Sequence, residues 1–278
     1  MIPAEFDYEV AESADHAVTL LREHGEEAKL LAGGHSLLPL MKLRLAYPST
    51  IVDIGRLTDL SYVREEGDGI AIGALTCHED LHRSETLQRG CPIVAHTAGK
   101  IGDPQVRHRG TIGGSVAHGD PASDLPSVLV ALGAELVVRG GDGDRTVPAT
   151  DFFEGIFEVD LSPQEILTEI RVPKTQAGWS YVKFAHRAQD WATVGVAVVA
   201  GDGRGGDGTR VALTSMGETP LRATGVEQAL ASGADPASAA QHAGEGTHPV
   251  SDPLGSAEYR AAMVTVMTER ALKEALSG

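Results

Sequence analysis

The sequence predicts an α+β protein, chiefly because of the order of its apolar segments. Up to about residue 175, short strand-like runs alternate with helical segments and glycine turns. From residue 179 onwards, three apolar runs follow one another directly, which is typical of an antiparallel sheet. We therefore expect a first domain of two α/β subdomains, at about 1–55 and 56–175, and a C-terminal domain at 176–278.

The first subdomain is predicted to be a small βαβ-like unit. Ser13 is a favourable N-cap for a helix that ends near Gly25. The apolar run at 28–32 predicts a buried strand, and the β-branched run at 49–54 predicts another. The helix between these strands begins after Ser36.

The second subdomain is predicted from a longer series of segments. In chain order, we expect a strand at 69–75, helices at 78–87 and 91–101, a helix opened by Asp124, a hairpin around Gly140 to Asp144, and a strand at 165–173.

The C-terminal domain is predicted to combine a three-stranded antiparallel sheet with helices. Its strands are expected at 179–187, 193–200 and 209–216, and two short helices at about 223–231 and 236–243. A long helix begins at Ser256. Its apolar stripe is typical of core packing and consists of Met263, Val264, Met267, Ala271 and Leu272.

Two glycine turns are the main indication of function in the sequence. Gly33 and Gly34 follow a strand, and Ser36 then opens a helix with Pro39 in its first turn, where a missing N–H costs nothing. Glycines let a ligand approach the backbone closely, and free N–H groups at such a turn hold phosphates. A plain tight turn would explain this stretch equally well if it stood alone.

A second turn repeats the arrangement and makes the pair more specific. Thr111-Ile112-Gly113-Gly114-Ser115 again places small and hydroxyl residues around two glycines, and Asp124 with Pro126 opens a buried helix soon after. Two such turns suit a ligand with a long phosphate-and-polyol body.

The sequence around both turns resembles a known family. AGGHSLLPLMKLRLA and VRHRGTIGGSVAHGDPASDLP resemble the FAD-binding medium subunit of the molybdenum hydroxylases, in particular the carbon monoxide dehydrogenase medium chain, and also the flavin domain of xanthine dehydrogenase. The resemblance covers nearly the whole chain. It implies a PCMH-type (vanillyl-alcohol-oxidase-like) FAD-binding domain followed by a smaller domain of the carbon monoxide dehydrogenase flavoprotein type.

The resemblance also implies which residues contact FAD. They map onto Leu30, Leu31, Ala32, Gly33, Gly34, His35, Ser36, Leu37, Ile101, Thr111, Ile112, Gly113, Gly114, Ser115, Asp124, Leu167 and Lys183. In the family an aromatic residue, usually tyrosine, shields one face of the flavin, and this sequence has Trp191 near that point.

Three of these residues have simpler explanations that the sequence leaves open. Asp124 can be a helix cap only. Lys183 lies in an apolar strand, so it either faces inward with a partner, such as the flavin ring or a phosphate, or faces outward as a solvated lysine. Trp191 can be an ordinary core residue.

The resemblance implies that this chain works in a complex. In the family a molybdopterin-binding large subunit oxidises the substrate, a small subunit with two [2Fe-2S] clusters passes the electrons on, and FAD in the medium subunit delivers them to an external acceptor. We expect no metal in this chain and no catalytic residue of its own. Two alternatives remain, a free-standing FAD-dependent oxidoreductase and a cofactor-free scaffold protein of the same fold.

Composition excludes several other classes. The net charge of −16 argues against binding to nucleic acid or to an acidic membrane surface. No apolar run approaches the roughly 20 residues that span a bilayer, and the N-terminal segment resembles no secretory signal. Two cysteines, Cys77 and Cys91, are too few for a disulfide framework, so we expect a cytoplasmic protein.

Two motifs are interpreted as coincidental. Gly201 to Gly206 fits G-x-G-x-x-G after an apolar strand, but loop and strand follow instead of the helix that a dinucleotide site requires. His78-Glu79-Asp80-Leu81-His82 fits the H-E-x-x-H pattern of zinc sites, but no clear third ligand follows. We expect a hairpin loop at the glycine motif, and the family resemblance implies a surface helix at the histidine motif.

Overall fold

The computed structural model describes residues 2–175, 178–201 and 208–277. The chain begins with a parallel three-stranded sheet in the order β1-β3-β2, against which one long helix packs. The elements of this unit are β1 (Asp7–Val10), α1 (Ala14–His24), β2 (Ala28–Leu31), α2 (Leu37–Leu43) and β3 (Thr50–Asp53). As predicted, Ser13 caps α1 by accepting from the N–H of His16, and Gly25 follows its end with a φ of 70°.

The next unit is built on a five-stranded antiparallel sheet in the order β4-β5-β10-β6-β7. Tight turns join β4 to β5 and β6 to β7, helices lie between β5 and β6, and a two-stranded hairpin precedes the last strand. Its elements are β4 (Val63–Glu66), β5 (Gly69–Gly73), α3 (His78–Arg83), α4 (Glu85–Gly90), α5 (Pro92–Ala98), α6 (Pro104–Arg107), α7 (Ile112–His118), α8 (Asp124–Leu132), β6 (Glu135–Gly140), β7 (Gly143–Pro148), α9 (Ala149–Phe152), β8 (Phe153–Gly155), β9 (Glu158–Val159) and β10 (Ile166–Pro173).

The last unit is an antiparallel sheet with helices on one side. It contains the three predicted strands and, at one edge, a short fourth strand that the sequence did not reveal. Its elements are β11 (Trp179–Phe184), β12 (Val194–Val199), β13 (Arg210–Thr214), β14 (Leu221–Arg222), α10 (Thr224–Ala231), α11 (Pro236–Ala240) and α12 (Ala257–Leu276).

Helix α8 joins the two larger sheets into one core. Every residue of α8 is buried, because it packs on the five-stranded sheet and also on β12 and β13. The main apolar cluster therefore continues from Ile72 in β5 through Leu129 to Val199 and Ala212 in the C-terminal sheet. This packing fixes the start of α8 beside β11, where the site described below is found.

Two sequence expectations about helices were wrong. The helix expected at 78–87 is divided into α3 and α4, because Ser84 takes an extended conformation and its side chain accepts from the N–H of Leu87 to cap α4. Asp124 is the first residue of α8 rather than its N-cap, and Ser123 occupies the N-cap position. The G-x-G-x-x-G stretch lies outside the described residues after Gly201.

Candidate functional site

The two glycine turns are in backbone contact although they lie far apart in the chain. The Cα atom of Gly110 is 2.9 Å from the position that a Cβ atom on Gly33 would occupy, and the carbonyl oxygen of Arg109 is closer still. Gly34 has a φ of 79°, a conformation that glycine adopts readily and other residues rarely do. The turn after β2 can therefore lie against the segment before α7 only because it consists of glycine.

A row of unpaired backbone amides follows β2. Among the described residues, the N–H groups of 33–37 have no hydrogen-bond acceptor in the protein. Ser36 holds the N-cap position of α2, but its hydroxyl makes no capping bond, contrary to the expectation from sequence. Consecutive free N–H groups form a concave site for an anionic oxygen.

The second glycine stretch is not the turn that the sequence predicted: Thr111 is the N-cap of α7, and Gly113 and Gly114 lie in its first turn, where the amides are already used. Ile112 N–H donates to the carbonyl of Thr76, at 3.1 Å, and Gly113 N–H donates to that of Ala74, at 2.8 Å. The N–H of Gly114 donates to the hydroxyl oxygen of Thr111, which caps α7. The two turns are therefore not equivalent: the second presents hydroxyl groups and close backbone packing rather than free amides.

The turns form one wall of a groove with a volume of about 790 Å³. Every residue that the resemblance assigned to the flavin lines this groove, with the exception of Ile112. Ile112 is completely buried and packs in the main core behind the turn. Residues between positions 30 and 191 are thus brought to one cavity.

Asp124 and Lys183 form a buried ion pair at this groove. Their side chains are 4% and 6% exposed, and Lys183 Nζ lies 2.8 Å from Asp124 Oδ2. Lys183 Nζ also donates to the carbonyl oxygen of Lys100. Lys183 is therefore an inward-facing lysine whose partner is a carboxylate, and the interpretation of Asp124 as only a helix cap is wrong.

Tyr181 completes this cluster and was missed by the sequence analysis. Its buried hydroxyl donates to Asp124 Oδ1 at 2.6 Å. Burial raises the pKa of Tyr181 well above its usual range, so the hydroxyl keeps its proton. Burial also raises the pKa of Asp124, while the Lys183 ammonium and the Tyr181 hydroxyl oppose that rise. The spacing of Tyr181 and Lys183, two residues apart in one strand, was the available signal because such residues share a face.

Trp191 lies at the groove and not in the core. The residue is 50% exposed and lines the cavity in the segment before β12. Core packing, which the sequence left open, is therefore wrong for this tryptophan. An exposed indole beside a groove is available to contact a bound ring.

The H-E-x-x-H residues have other roles in the structure. Both carboxylate oxygens of Glu79 pair with arginines, Arg83 and Arg107. His82 bonds through Nδ1 to the carbonyl oxygen of Ala95. No group of three or more histidine, cysteine or acidic residues is placed to hold a metal ion within the described ranges.

An aromatic contact borders the same groove on the hairpin side. The rings of His118 and Phe157 are 4.9 Å apart, and both residues line the cavity. Burial lowers the pKa of His118, so its neutral form is favoured. Phe157 is 55% exposed and has a φ of 60° in the turn between β8 and β9. No sequence pattern singled out Phe157.

Comparison with known proteins places the chain in one family. Residues 4–175 match the family described as the FAD binding domain in molybdopterin dehydrogenase, and residues 179–275 match the carbon monoxide dehydrogenase flavoprotein C-terminal domain. The chain is 44% identical to the carbon monoxide dehydrogenase medium chain of Hydrogenophaga pseudoflava, over 99% of this chain and 98% of that one. It is 39% identical to the 6-hydroxypseudooxynicotine dehydrogenase complex subunit alpha of Paenarthrobacter nicotinovorans, over 99% and 96%.

Solved structures agree with these matches. The fold is similar, with a TM-score of 0.94 and 44% identity, to a chain of carbon monoxide dehydrogenase from Hydrogenophaga pseudoflava, covering 100% of this chain and 99% of that one. It is also similar to a chain of quinoline 2-oxidoreductase from Pseudomonas putida 86, with a TM-score of 0.92, 31% identity and the same coverage. None of the described helices has the length and apolar character needed to cross a bilayer.

The fold and the groove define an FAD-containing oxidoreductase subunit. The chain belongs to the family of FAD-binding subunits of the molybdopterin dehydrogenases, of the carbon monoxide dehydrogenase medium-chain type. The resemblance based on the two glycine turns, and the FAD cofactor that it implied, are thereby confirmed.

The residues of the groove fit FAD chemically. The unpaired amides of 33–37 provide donors for the anionic diphosphate, and the glycine contact at Gly33 keeps side chains away from it. The hydroxyls of Ser36, Thr111 and Ser115 line the same cavity. Apolar side chains, among them Leu167, line other parts of the groove, as a largely apolar ring system requires.

Proposed function

We propose that this chain is the electron-transfer subunit of a heterotrimeric molybdenum hydroxylase. It would take electrons from the [2Fe-2S] clusters of a small subunit and pass them to an external acceptor, while a molybdopterin-binding large subunit oxidises the substrate. The observation that carries this proposal is the row of free amides at the meeting point of the two glycine turns. Relatives named as medium chains or subunits of dehydrogenases support the assignment to a complex.

FAD, when bound, supplies the exchange between pairs of electrons and single electrons. The chain's part is to hold and orient it. We propose that the amides of 33–37 bind the diphosphate, with the hydroxyls of Ser36, Thr111 and Ser115 as further donors. The remaining proposed contacts lie along the groove and are Leu30, Leu31, Ala32, Ile101, Gly113, Gly114, Asp124, Leu167, Lys183 and Trp191, with Ile112 supporting the second turn from behind.

The ion pair of Asp124 and Lys183 would fix the charge beside the flavin. A paired lysine keeps its ammonium group in place, because Asp124 and the carbonyl of Lys100 both accept from it. An ordered cation of this kind stabilises negative charge nearby. Tyr181 holds the carboxylate from the other side, so the cluster is rigid before the cofactor binds.

We also propose the organisation and location of the chain. The FAD-binding domain would span 1–175, with subdomains at about 1–55 and 56–175, and the C-terminal domain 176–278. The two family matches meet between residues 175 and 179, which supports this boundary. Cys77 and Cys91 are free thiols, which supports a cytoplasmic location.

Co-expression tests the proposed complex. The full chain, with an affinity tag, is produced together with a small subunit bearing two [2Fe-2S] clusters and a molybdopterin-binding large subunit from the same source. We expect a complex of all three chains in which a reductant delivered to the clusters bleaches the flavin absorbance. A chain that binds FAD but purifies alone and oxidises donors by itself would support the free-standing oxidoreductase. A chain that takes up no FAD would support the scaffold.

A further inference from the structure

His78 is a buried histidine whose side chain has no hydrogen-bond partner. Its residue exposure is 3%, and neither ring nitrogen bonds to any described residue. Nδ1 is completely inaccessible to solvent. A buried polar group without a partner costs free energy, so such groups are rare and call for a physical reason.

The ring lies where the two glycine turns meet. A Cβ atom on Gly110 would be 2.9 Å from His78 Cδ2 and 3.2 Å from Nε2, so this edge of the ring faces the Gly110 backbone. The Cα atom of Gly110 is in turn 2.9 Å from the Cβ position of Gly33. His78 also lines the groove, beside the free amides of the first turn. The main chain fixes this position, because His78 N–H donates to the Gly110 carbonyl at 2.9 Å.

Its surroundings keep the imidazole neutral. Burial, the neighbouring His35 and the Arg107 guanidinium lower the pKa of His78 to about 4. Arg107 is already paired with Glu79, at 2.9 Å, so neither Arg107 nor Glu79 is a hydrogen-bond partner for His78. At neutral pH the ring therefore carries one N–H and one lone pair, and the protein satisfies neither.

The second glycine stretch offers hydroxyl groups but few free amides, which gives the ring a role as an additional N–H donor. The amides of Ile112, Gly113 and Gly114 donate within the protein, so they are not free to bind an anion. The His78 ring also lines the groove, and its N–H has no acceptor among the described residues. A diphosphate held by the amides of the first turn would offer it an acceptor oxygen.

We propose that His78 donates a hydrogen bond from Nε2 to a diphosphate oxygen of the bound FAD. This inference rests on the proposed FAD-binding role of the groove. It makes His78 a cofactor-binding residue and gives its Nε2 a partner, while Nδ1, the wholly buried nitrogen, stays unpaired. The bond would join the start of α3 to the cofactor.

Two variants of the full chain test the bond. His78→Leu removes the donor at similar size, and His78→Gln keeps an N–H group near the position of Nε2. The chains are stripped of FAD, and the Kd for FAD is measured by quenching of flavin fluorescence. We expect His78→Leu to raise the Kd about tenfold or more and His78→Gln to stay near the wild-type value. His248→Leu, at an exposed position of the C-terminal domain, is the control and should not change the Kd.

The thermal stability of the FAD-free variants distinguishes a cofactor-binding role of His78 from a purely structural role. Because His78→Leu removes an unsatisfied buried group, the FAD-free variant should unfold at the same temperature as the wild type or above it. In the FAD-bound protein, the ³¹P resonances of the diphosphate should shift between wild type and His78→Leu. An unchanged Kd in His78→Leu, unchanged ³¹P resonances, or equal losses of affinity and Tm in both variants would overturn the proposal. Wild-type chain that fails to bind FAD would instead overturn the proposed function.

Discussion

Gly33 and Gly110 touch through their backbones, with 2.9 Å between the Cα atom of Gly110 and the position of a Cβ atom on Gly33. This contact brings the end of β2 against the segment that leads into α7. A side chain at Gly33 would not fit, because the neighbouring atoms belong to the main chain and cannot rotate away. The groove therefore depends on the absence of a single methyl group.

Gly33→Ala should separate the two turns and weaken FAD binding. The added Cβ would overlap the Arg109 carbonyl, so one backbone segment must move. We expect the Kd for FAD to rise at least about tenfold and the free energy of unfolding to fall by about 1–3 kcal/mol, as is usual for overpacking. Flavin titration and urea unfolding of the full chain measure both quantities.

Gly244→Ala is the matched control. A Cβ at Gly244 would meet no atom within 4 Å, and this glycine has no positive φ. The same substitution there should leave the Kd unchanged. Equal FAD affinity in both variants would show that the contact between the turns is not needed for the site.

The buried pair of Asp124 and Lys183 predicts strong coupling in a double-mutant cycle. Lys183→Met leaves a carboxylate buried without its cation and should lower the free energy of unfolding by about 3–5 kcal/mol. Asp124→Asn combined with Lys183→Met should restore much of that loss, because the charge is removed while Tyr181 can still donate. Urea unfolding of the FAD-free chain measures each corner of the cycle.

An exposed ion pair provides the comparison for this cycle. Lys273 and Glu269 pair across one turn of α12 with side chains 62% and 33% exposed. Lys273→Met should change stability by no more than about 0.5 kcal/mol. Additive losses at Asp124 and Lys183 would contradict the idea that they act as one unit.

The sequence predicted the first glycine turn well because its chemistry is local. Gly33, Gly34 and Ser36 stand between a strand and a helix, and that order alone indicates a turn with free amides. The second turn looked equivalent in sequence. Its amides are used by Thr76 and Ala74, which lie on another segment, so their pairing depends on tertiary contacts that no local pattern contains.

The contacts of Asp124 could not be predicted from the sequence for the same reason, since they also depend on tertiary packing. Asp124 before a buried helix had a sufficient local explanation as a cap, which the structure replaces with bonds to Lys183 and Tyr181 in β11. These partners lie more than fifty residues away, and their side chains meet only because α8 packs on the C-terminal sheet. The short strand β14 was missed for a similar reason, since two residues give no periodicity.

The FAD-free protein should lose stability on acidification through His78. The pKa of this residue is about 4 in the folded chain, below the ordinary value of 6.5, so between these pH values the unfolded chain binds a proton that the folded chain does not. Stability therefore rises with pH across the window from about 4 to 6.5, by at most roughly 3 kcal/mol from this residue. Burial lowers the pKa of His96 and His118 too, so they act in the same direction.

His78→Leu isolates this share of the pH dependence. Its free energy of unfolding, measured in urea at several pH values, should change less between pH 6.5 and 4.5 than that of the wild type. Identical pH profiles for the two proteins would mean that the pKa of His78 is the same in the folded and the unfolded chain. In that case its ring is not the buried neutral group described here.

Trp191→Ala should change the fluorescence and reactivity of the bound flavin but have little effect on the stability of the protein. The indole is half exposed at the groove, so its removal should cost less than about 1 kcal/mol of stability, well below the 3–5 kcal/mol typical of a buried tryptophan. If the ring covers the bound flavin, the variant should show brighter flavin fluorescence and faster reoxidation of the reduced flavin by small acceptors. Trp191→Phe keeps an aromatic ring, so its flavin fluorescence and reoxidation rate should lie between those of the wild type and those of Trp191→Ala. A large loss of stability with unchanged fluorescence would show that Trp191 supports the protein rather than the cofactor.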